Sequence, residues 1–282
     1  GGGVSSSAVV TPPSAARRAA APDAAAQPVT LRRVIRSEWI KFWTLRSTWA
    51  VLGAALVGML VLAMVVAYNT RHLTSNLQAN DIAPSATLQG YFLAELLIGA
   101  LGVLFVSGEY STGMVRSTLV AVPRRLPVLW AKLVVFVTIT AVSMITVSIV
   151  AFVSAQALLS HYRTGFSLSD PGVLRVVIGT GVYLTLVGMI GAALGWIVRS
   201  TPGALVAYFA IVLVLPVLFG DALGNWGKEV AQFLPGQAGA SFSTSIPESS
   251  YSLSPWVGLL VLAGWVAVAL AIAAGVLRRR DA

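Results

Sequence analysis

Long apolar runs, separated by shorter polar segments, occupy most of the chain. Each run is close to or above the roughly 20 residues that an α-helix needs to cross about 30 Å of hydrocarbon. The runs lie at residues 49–68, 88–106, 133–158, 176–198, 203–219 and 255–277. They predict an all-α integral membrane protein with six transmembrane helices. The fifth run is the shortest and contains Pro216, so five and seven crossings are alternatives on this pattern alone.

The segment 30–48 has a different pattern, in which apolar and polar positions fall on opposite faces of a helix. This pattern predicts an N-terminal amphipathic helix that lies in the membrane surface. Glu38 and Arg46 project toward its apolar face, where an unpaired charge is costly. We therefore expect these two side chains to be neutralised by each other or by a partner protein.

Three other segments lie outside the spans. Residues 1–29 are rich in Ala, Pro and Ser, and they predict a disordered tail because they offer little apolar surface to bury. Residues 107–132 combine a glycine-rich start with two prolines, which favours a structured elbow between the second and third spans. Residues 220–254 scatter aromatic side chains among Gly, Pro and Ser, a composition typical of re-entrant or interfacial segments. The six-span domain as a whole covers residues 49–282.

The composition agrees with lipid as the solvent. Hydrophobic residues make up 57% of the chain, charged residues only 10%, and the mean hydropathy is +0.83, whereas soluble domains carry about 25% charged residues. The formal charge of +9 does not indicate nucleic acid as a partner, because the basic residues cluster at the ends of the apolar runs and form no continuous basic face. Membrane lipids are the expected surroundings.

Catalytic chemistry finds little support in the sequence. There is no cysteine, and the two histidines are separated from any acidic cluster with metal-ligand spacing. The lysines are Lys41, Lys132 and Lys228. None is followed by the hydroxyl residue that closes a phosphate-binding loop. We therefore predict that the chain is not an enzyme and carries no cofactor or metal, so that any ATP must bind to another chain.

The distribution of Lys and Arg predicts the orientation. With six spans and both termini on one side, 15 of the 19 basic residues lie on the side of the termini. The four on the other side are Arg71, Arg163, Arg175 and Lys228. Because basic residues concentrate on the cytoplasmic side, both termini are predicted to be cytoplasmic. The elbow at 107–132 is then cytoplasmic, the segment 220–254 is extracytoplasmic, and the protein is a multi-pass protein of the inner (plasma) membrane.

Glu95 is the one charged residue inside the predicted spans. An ionisable group at this depth is costly and is often functional. It also serves in many bundles as a hydrogen-bonding group that holds helices together. Glu95 is thus a candidate for the substrate pathway or for helix packing, and the sequence leaves both open.

A motif at the inner end of the second span adds a family resemblance. Residues 108–116 read Gly-Glu-Tyr-Ser-Thr-Gly-Met-Val-Arg, and Pro-Arg-Arg follows at 123–125. Upstream, residues 37–41 read Ser-Glu-Trp-Ile-Lys ahead of the first span. The chain resembles the type-2 ABC transporter permeases, especially those of actinobacteria, in both motifs and in its six-span layout.

The resemblance implies an exporter built from two permease chains, identical or sibling, and two separate cytoplasmic ABC ATPase subunits that bind ATP and Mg²⁺. In that family the N-terminal helix and the segment after the second span contact the ATPase. The matching positions here are Glu38, Lys41, Glu109, Arg116, Arg124 and Arg125. An interior with aromatic and aliphatic surface and few charges favours an amphipathic, lipid-like or drug-like substrate.

Two other classes of function remain open at this point. One is an ATP-independent secondary carrier or channel, which usually has ionisable residues or broken helices near the membrane midplane. The other is a structural or immunity subunit that sequesters a partner, a reading that leaves the motif around Glu109 unexplained.

Overall fold

The computed structural model describes residues 30–71, 84–111, 125–161, 166–244 and 251–279. Within these ranges every regular element is helical. Six helices are long and apolar enough to cross a membrane. The prediction of an all-α, multi-pass membrane protein is therefore confirmed at this level. The predicted tail at 1–29 lies outside the described residues.

The helices begin and end close to the limits of the apolar runs. In chain order they are α1 (Leu31–Thr44), α2 (Arg46–Thr70), a short 3₁₀ helix (Pro84–Leu88), α3 (Tyr91–Ser111), α4 (Arg125–Leu159), α5 (Val173–Val198), α6 (Thr201–Phe209), α7 (Gly224–Ala231), α8 (Pro235–Ser243) and α9 (Pro255–Arg279). The spanning candidates are α2, α3, α4, α5, the helix that starts with α6, and α9. Leu45 is extended and separates α1 from α2.

The fifth span is irregular beyond α6. It continues through a π-helical turn (Ala210–Val214), three α-helical residues (Leu215–Val217) and a second π-helical turn (Leu218–Ala222). Pro216 has no N–H to donate and crowds the preceding turn, and the N–H of Leu215 bonds to the carbonyl of Ala210, five residues back. Widened turns of this kind accommodate a proline without ending the helix.

Helix α5 lies at the centre of the bundle, where glycines allow it to contact α3 backbone to backbone. A Cβ added at Gly191 would lie 2.2 Å from the carbonyl oxygen of Gly99, and one added at Gly102 would lie 2.2 Å from that of Gly188. Both distances are far inside van der Waals contact. The small residues of α5 therefore serve packing within one chain, as close-packed membrane helices require.

Helices α3 and α4 extend into both ends of the segment 107–132. Helix α3 continues to Ser111, and α4 begins at Arg125 instead of residue 133. Helix α4 has 35 residues, about 52 Å of helix, which is well beyond the ~30 Å of the hydrocarbon layer. Its first two turns contain Arg125 and Lys132, ahead of the long uncharged run. The remainder of the elbow, 112–124, lies outside the described residues.

The segment 220–254 contains the helix pair α7 and α8, and α8 packs into the bundle between α5 and α9. Gly239 lies against the ring of Tyr183 on α5, where an added Cβ would come within 2.1 Å of the ring. On the other side, a Cβ at Gly258 of α9 would lie 2.3 Å from the carbonyl oxygen of Ala238. Glycines at both contacts thus allow a short helix to enter the packed interior.

Candidate functional site

Four charged side chains meet where α1 packs against the C-terminal end of α3 and the start of α4. We call Glu38, Lys41, Glu109 and Lys132 the ion-pair cluster. Lys41 Nζ lies 2.8 Å from Glu38 Oε1 and 3.0 Å from Glu109 Oε1. Lys132 Nζ lies 2.7 Å from Glu38 Oε2 and 3.0 Å from Glu109 Oε1. Each lysine therefore bridges both glutamates, and α1 is connected through charges to two spanning helices.

Apolar contacts on α1 place Glu38 in the cluster. Val34, one turn before Glu38, packs against Val128 of α4. Phe42, one turn after it, meets the ring of Phe105 on α3 edge to face at 5.2 Å between centroids. Because residues four apart lie on the same side of a helix, burying Val34 and Phe42 also buries the position between them. The predicted apolar face of α1 thus turns Glu38 into the protein.

Burial divides the cluster into an inner and an outer pair. The side chains of Glu38 and Lys132 are 1% and 3% exposed, whereas those of Lys41 and Glu109 are 27% and 15% exposed. Lys132 Nζ also lies 4.3 Å from the centre of the Phe105 ring, a favourable cation–π distance. The inner pair therefore depends on its partners for nearly all of its charge stabilisation.

The outer lysine is held in its charged form. Burial by itself lowers the pKa of Lys41, but hydrogen bonds and charges from Glu38 and Glu109 outweigh burial and raise the pKa above the usual value of a lysine. The four formal charges of the cluster sum to zero. It therefore contributes a directional link between helices without adding net charge at this end of the bundle.

Three of the six positions predicted to contact an ATPase come together in this cluster, namely Glu38, Lys41 and Glu109. Arg116 and Arg124 lie outside the described residues, and Arg125 is the first residue of α4. We expected Arg46 or a partner protein to neutralise Glu38. Instead the two lysines do so, because the contact between α1 and α4 brings Lys132 within reach.

Sequence reasoning did not select Lys132 as a site residue. Its signal was a single lysine at the start of a long apolar run. That position usually indicates an anchor at the membrane surface. Glu109, an acidic residue at the end of the preceding span, was the complementary signal, because opposite charges at neighbouring helix ends pair with each other.

A second buried carboxyl group lies near the other end of α3. Glu95 is 14 residues from Glu109, about 21 Å along the helix axis. The hydroxyl of Tyr183 on α5 donates a hydrogen bond to Glu95 Oε1, and the hydroxyl of Tyr208 on α6 donates to the backbone carbonyl of Glu95 at 2.7 Å. We call Glu95, Tyr183 and Tyr208 the carboxyl–tyrosine cluster. Among the described residues, no Lys or Arg forms an ion pair with Glu95.

Helix α8 covers the carboxyl–tyrosine cluster with its first turns. A Cβ at Gly236 would lie 3.5 Å from Glu95 Oε1, so the carboxyl group lies against the N-terminal turn of α8. Arg175 of α5 donates from Nη1 to the carbonyl of Phe242 at 2.7 Å, and Trp265 of α9 donates to the carbonyl of Phe233 at 2.8 Å. Side chains of neighbouring spans therefore hold the C-terminal end of α8 and the turn that precedes it.

Within the described ranges, no group of three or more His, Asp or Glu side chains is positioned to hold a metal ion. The ion-pair cluster links three helices through opposite charges, and the carboxyl–tyrosine cluster places a buried acid beside a hydroxyl donor. No family model matches the chain, and no curated protein matches its sequence.

Proposed function

We propose that this chain is the membrane-spanning permease subunit of an ATP-driven ABC exporter and moves an amphipathic substrate outward. The observation that supports the proposal is the ion-pair cluster, which joins α1 to the ends of α3 and α4 through four contacts of 2.7–3.0 Å. A helix connected in this way transmits a push at the membrane surface to two spans at once.

The proposed partners follow from the position of the cluster. Two cytoplasmic ATPase subunits bind ATP and Mg²⁺ and dock on the exposed side of α1 and on the elbow that contains Arg116, Arg124 and Arg125. Arg32, Arg33 and Arg36 on α1 are exposed and offer charge for such a contact. A second permease chain completes the pathway. In this arrangement both termini and the cluster lie on the cytoplasmic side of the inner membrane.

The proposed cycle uses the burial difference within the cluster. ATP-driven closure of the ATPase subunits shifts α1, and Glu38 transfers that shift to Lys132 because separating two buried opposite charges costs several kcal/mol. Helices α3 and α4 then move together at this end. Their backbone contact with the central helix α5 carries the movement toward the carboxyl–tyrosine cluster.

The test is to purify the tagged chain from its own host membranes and to assay the eluate for ATP hydrolysis. We expect a stoichiometric polypeptide with nucleotide-binding motifs and ATP hydrolysis that vanadate inhibits. A chain that purifies without an ATPase, from membranes in which it is active, would contradict the proposal.

Coupling is tested separately from assembly with Glu109→Gln. We expect the complex to assemble while stimulation of ATP hydrolysis falls by about 2- to 30-fold, the range of 0.5–2 kcal/mol of coupling. The matched control is Lys228→Gln, which removes one charge from α7, an element that does not contact the cluster. Equal activity of Glu109→Gln and wild type would remove the cluster from the coupling path.

A secondary carrier is the second candidate, and Glu95 is the observation that favours it. A buried carboxyl group paired with a tyrosine hydroxyl and covered by a short helix can exchange a proton during transport. Uptake or export that stops with an uncoupler, persists without ATP and is lost in Glu95→Gln supports a carrier. Transport that vanadate stops and Glu95→Gln leaves intact supports the exporter.

A further inference from the structure

A cavity of about 300 Å³, which we call the junction cavity, opens beside the ion-pair cluster where α1 meets α2. Its polar lining residues are Lys41, Thr44, Ser47, Thr48, Glu109 and Lys132. Its apolar lining residues are Leu45, Leu104 and Phe105. A pocket lined by both charged and apolar residues matches the two chemical parts of a lipid.

The charges that reach the junction cavity have both signs. Lys132 and Glu38 form the buried inner pair, so the accessible charges come mainly from Lys41 and Glu109, which retain 27% and 15% exposure. One positive and one negative group side by side disfavour a purely anionic ligand, because the carboxylate repels it. They are complementary to a zwitterion that carries a phosphate and an ammonium group.

The start of α2 adds donors for the phosphate. Arg46, Ser47 and Thr48 are the first three residues of α2, and no side chain caps this helix end. First-turn N–H groups have no acceptor within their own helix, and the helix dipole favours negative charge there. Together with Lys41 and the hydroxyls of Ser47 and Thr48, they form a donor-rich corner of the cavity. The carboxylate of Glu109 lies directly beside this corner, 3.0 Å from Lys41 Nζ.

The tryptophans on either side of the junction between α1 and α2 indicate the depth of the cavity in the membrane. Trp43 and Trp49 pack together with their ring centroids 4.6 Å apart, and Trp49 Nε1 donates to the carbonyl of Trp43 at 3.2 Å. Both rings are exposed. Exposed tryptophans at the start of an apolar helix favour the headgroup level of a bilayer. The polar lining of the cavity is then at headgroup depth, where the acyl chains begin.

We propose that the junction cavity binds one zwitterionic phospholipid with a primary ammonium headgroup. Its phosphate contacts Lys41 and the first turn of α2, its ammonium contacts the carboxylate of Glu109, and one acyl chain lies along Leu45 and Leu104. The inference does not depend on the proposed transport activity. A lipid in this position fills the space beside the ion-pair cluster and connects α1 with the surrounding leaflet.

Gly108 gives a way to block the cavity without changing a charge. It lines the cavity, and a Cβ added there meets no atom within 4 Å, so the side chain of Gly108→Leu has room to occupy the space of the lipid. The matched control is Gly264→Leu on the exposed side of α9, where an added Cβ likewise meets no atom within 4 Å. Thermal unfolding of both variants in detergent, without lipid, checks that each is folded.

The experiment is native mass spectrometry of the delipidated full-length protein titrated with defined lipids. We expect one phosphatidylethanolamine to bind wild type and Gly264→Leu at least tenfold more tightly than phosphatidylglycerol, and Gly108→Leu to lose this site. Soluble phosphoethanolamine, which lacks acyl chains, should not displace the lipid at equal concentration. Equal binding of the two lipids, or wild-type binding by a folded Gly108→Leu, overturns the proposal. Displacement by soluble phosphoethanolamine would assign the site to a free headgroup instead.

Discussion

Helix α3 carries a carboxyl group near each end, buried at Glu95 and largely buried at Glu109, and the protein stabilises the two in opposite ways. Glu109 and its neighbour Glu38 are paired with two lysines that contact both of them. Glu95 has a tyrosine hydroxyl as its side-chain partner, and the described residues place no cation against it. One cluster is balanced by full charges, whereas the other depends on neutral hydrogen bonds.

The difference indicates what each cluster can do. Buried ion pairs are costly to separate, so the helices that carry them move together. A carboxyl group with neutral partners loses less when its protonation or its hydrogen bond changes, because no opposite charge is left behind. The ion-pair cluster is therefore suited to transmitting force, and the carboxyl–tyrosine cluster to a local change under α8. The following substitutions test this contrast, in order of expected effect.

Replacing Lys132 by Met should have the largest effect. Lys132 is the buried cation that contacts both glutamates, and without it Glu38 keeps only the partly exposed Lys41. We expect a loss of about 3–5 kcal/mol of unfolding free energy, the usual cost of leaving a buried charge without its partner. Reversible unfolding in mixed micelles measures it, and Lys132→Arg keeps the charge as a control. Wild-type stability of Lys132→Met would mean that the cluster is not held by its charges.

Replacing Glu95 by Leu should cost less. The substitution leaves the hydroxyl of Tyr183 without its acceptor in the packed interior, which costs about 1–3 kcal/mol. Glu95→Gln keeps a carbonyl oxygen as the acceptor and should stay within about 1 kcal/mol of wild type. The same unfolding assay measures both. If Glu95→Gln is as destabilising as Lys132→Met, the carboxyl–tyrosine cluster contains a charge that depends on pairing, and the contrast fails.

Much of the helical layout could be predicted from the sequence, because apolar runs report directly on lipid exposure. The last run predicted 255–277, and α9 extends from Pro255 to Arg279. The start of α4 was missed by eight residues because Arg125, Pro127 and Lys132 lower the hydropathy of its first turns. Hydropathy reports contact with lipid, and a helix that continues into the headgroup region no longer gives that signal.

The clusters were predicted only in part, since their partners come from distant parts of the chain. Glu38, Lys41 and Glu109 belong to motifs that are visible in the sequence. The role of Lys132 depends instead on the packing of α1 against α4. Tyr183 and Tyr208 lie inside apolar runs, where an aromatic side chain usually indicates packing. Their hydroxyls reach Glu95 from α5 and α6, which are 88 and 113 residues away in sequence. Pairing over such distances has no local signature.

Replacing Tyr208 by Phe should have a modest effect. Its hydroxyl donates to the backbone carbonyl of Glu95, an oxygen that also accepts a bond within α3, so its loss removes one neutral hydrogen bond worth about 0.5–1.5 kcal/mol. The ring itself, which fits against Gly99, is retained. The unfolding assay should place Tyr208→Phe between Glu95→Gln and Glu95→Leu. A larger loss would show that the hydroxyl holds more than this carbonyl.

Replacing Lys41 by Met should have the smallest effect, although Lys41 contacts the same two glutamates as Lys132. Water reaches the partly exposed Lys41 and screens its charge, and both glutamates keep Lys132 when Lys41 is lost. We expect a cost of about 0.2–1 kcal/mol, as for exposed pairs.

The pH dependence gives a second measure of the same pair. The pKa of Lys41 is raised in the folded protein, so its contribution is complete below the unfolded value of about 10.4 and is lost as the pH rises above it. The stability difference between wild type and Lys41→Met should therefore stay constant from pH 6 to about 9 and shrink only in stronger alkali. A stability difference that already disappears near neutral pH would mean that the charge of Lys41 does not contribute through its ion pairs with the two glutamates. Lys41 and Lys132, which have the same partners, would then differ in more than burial.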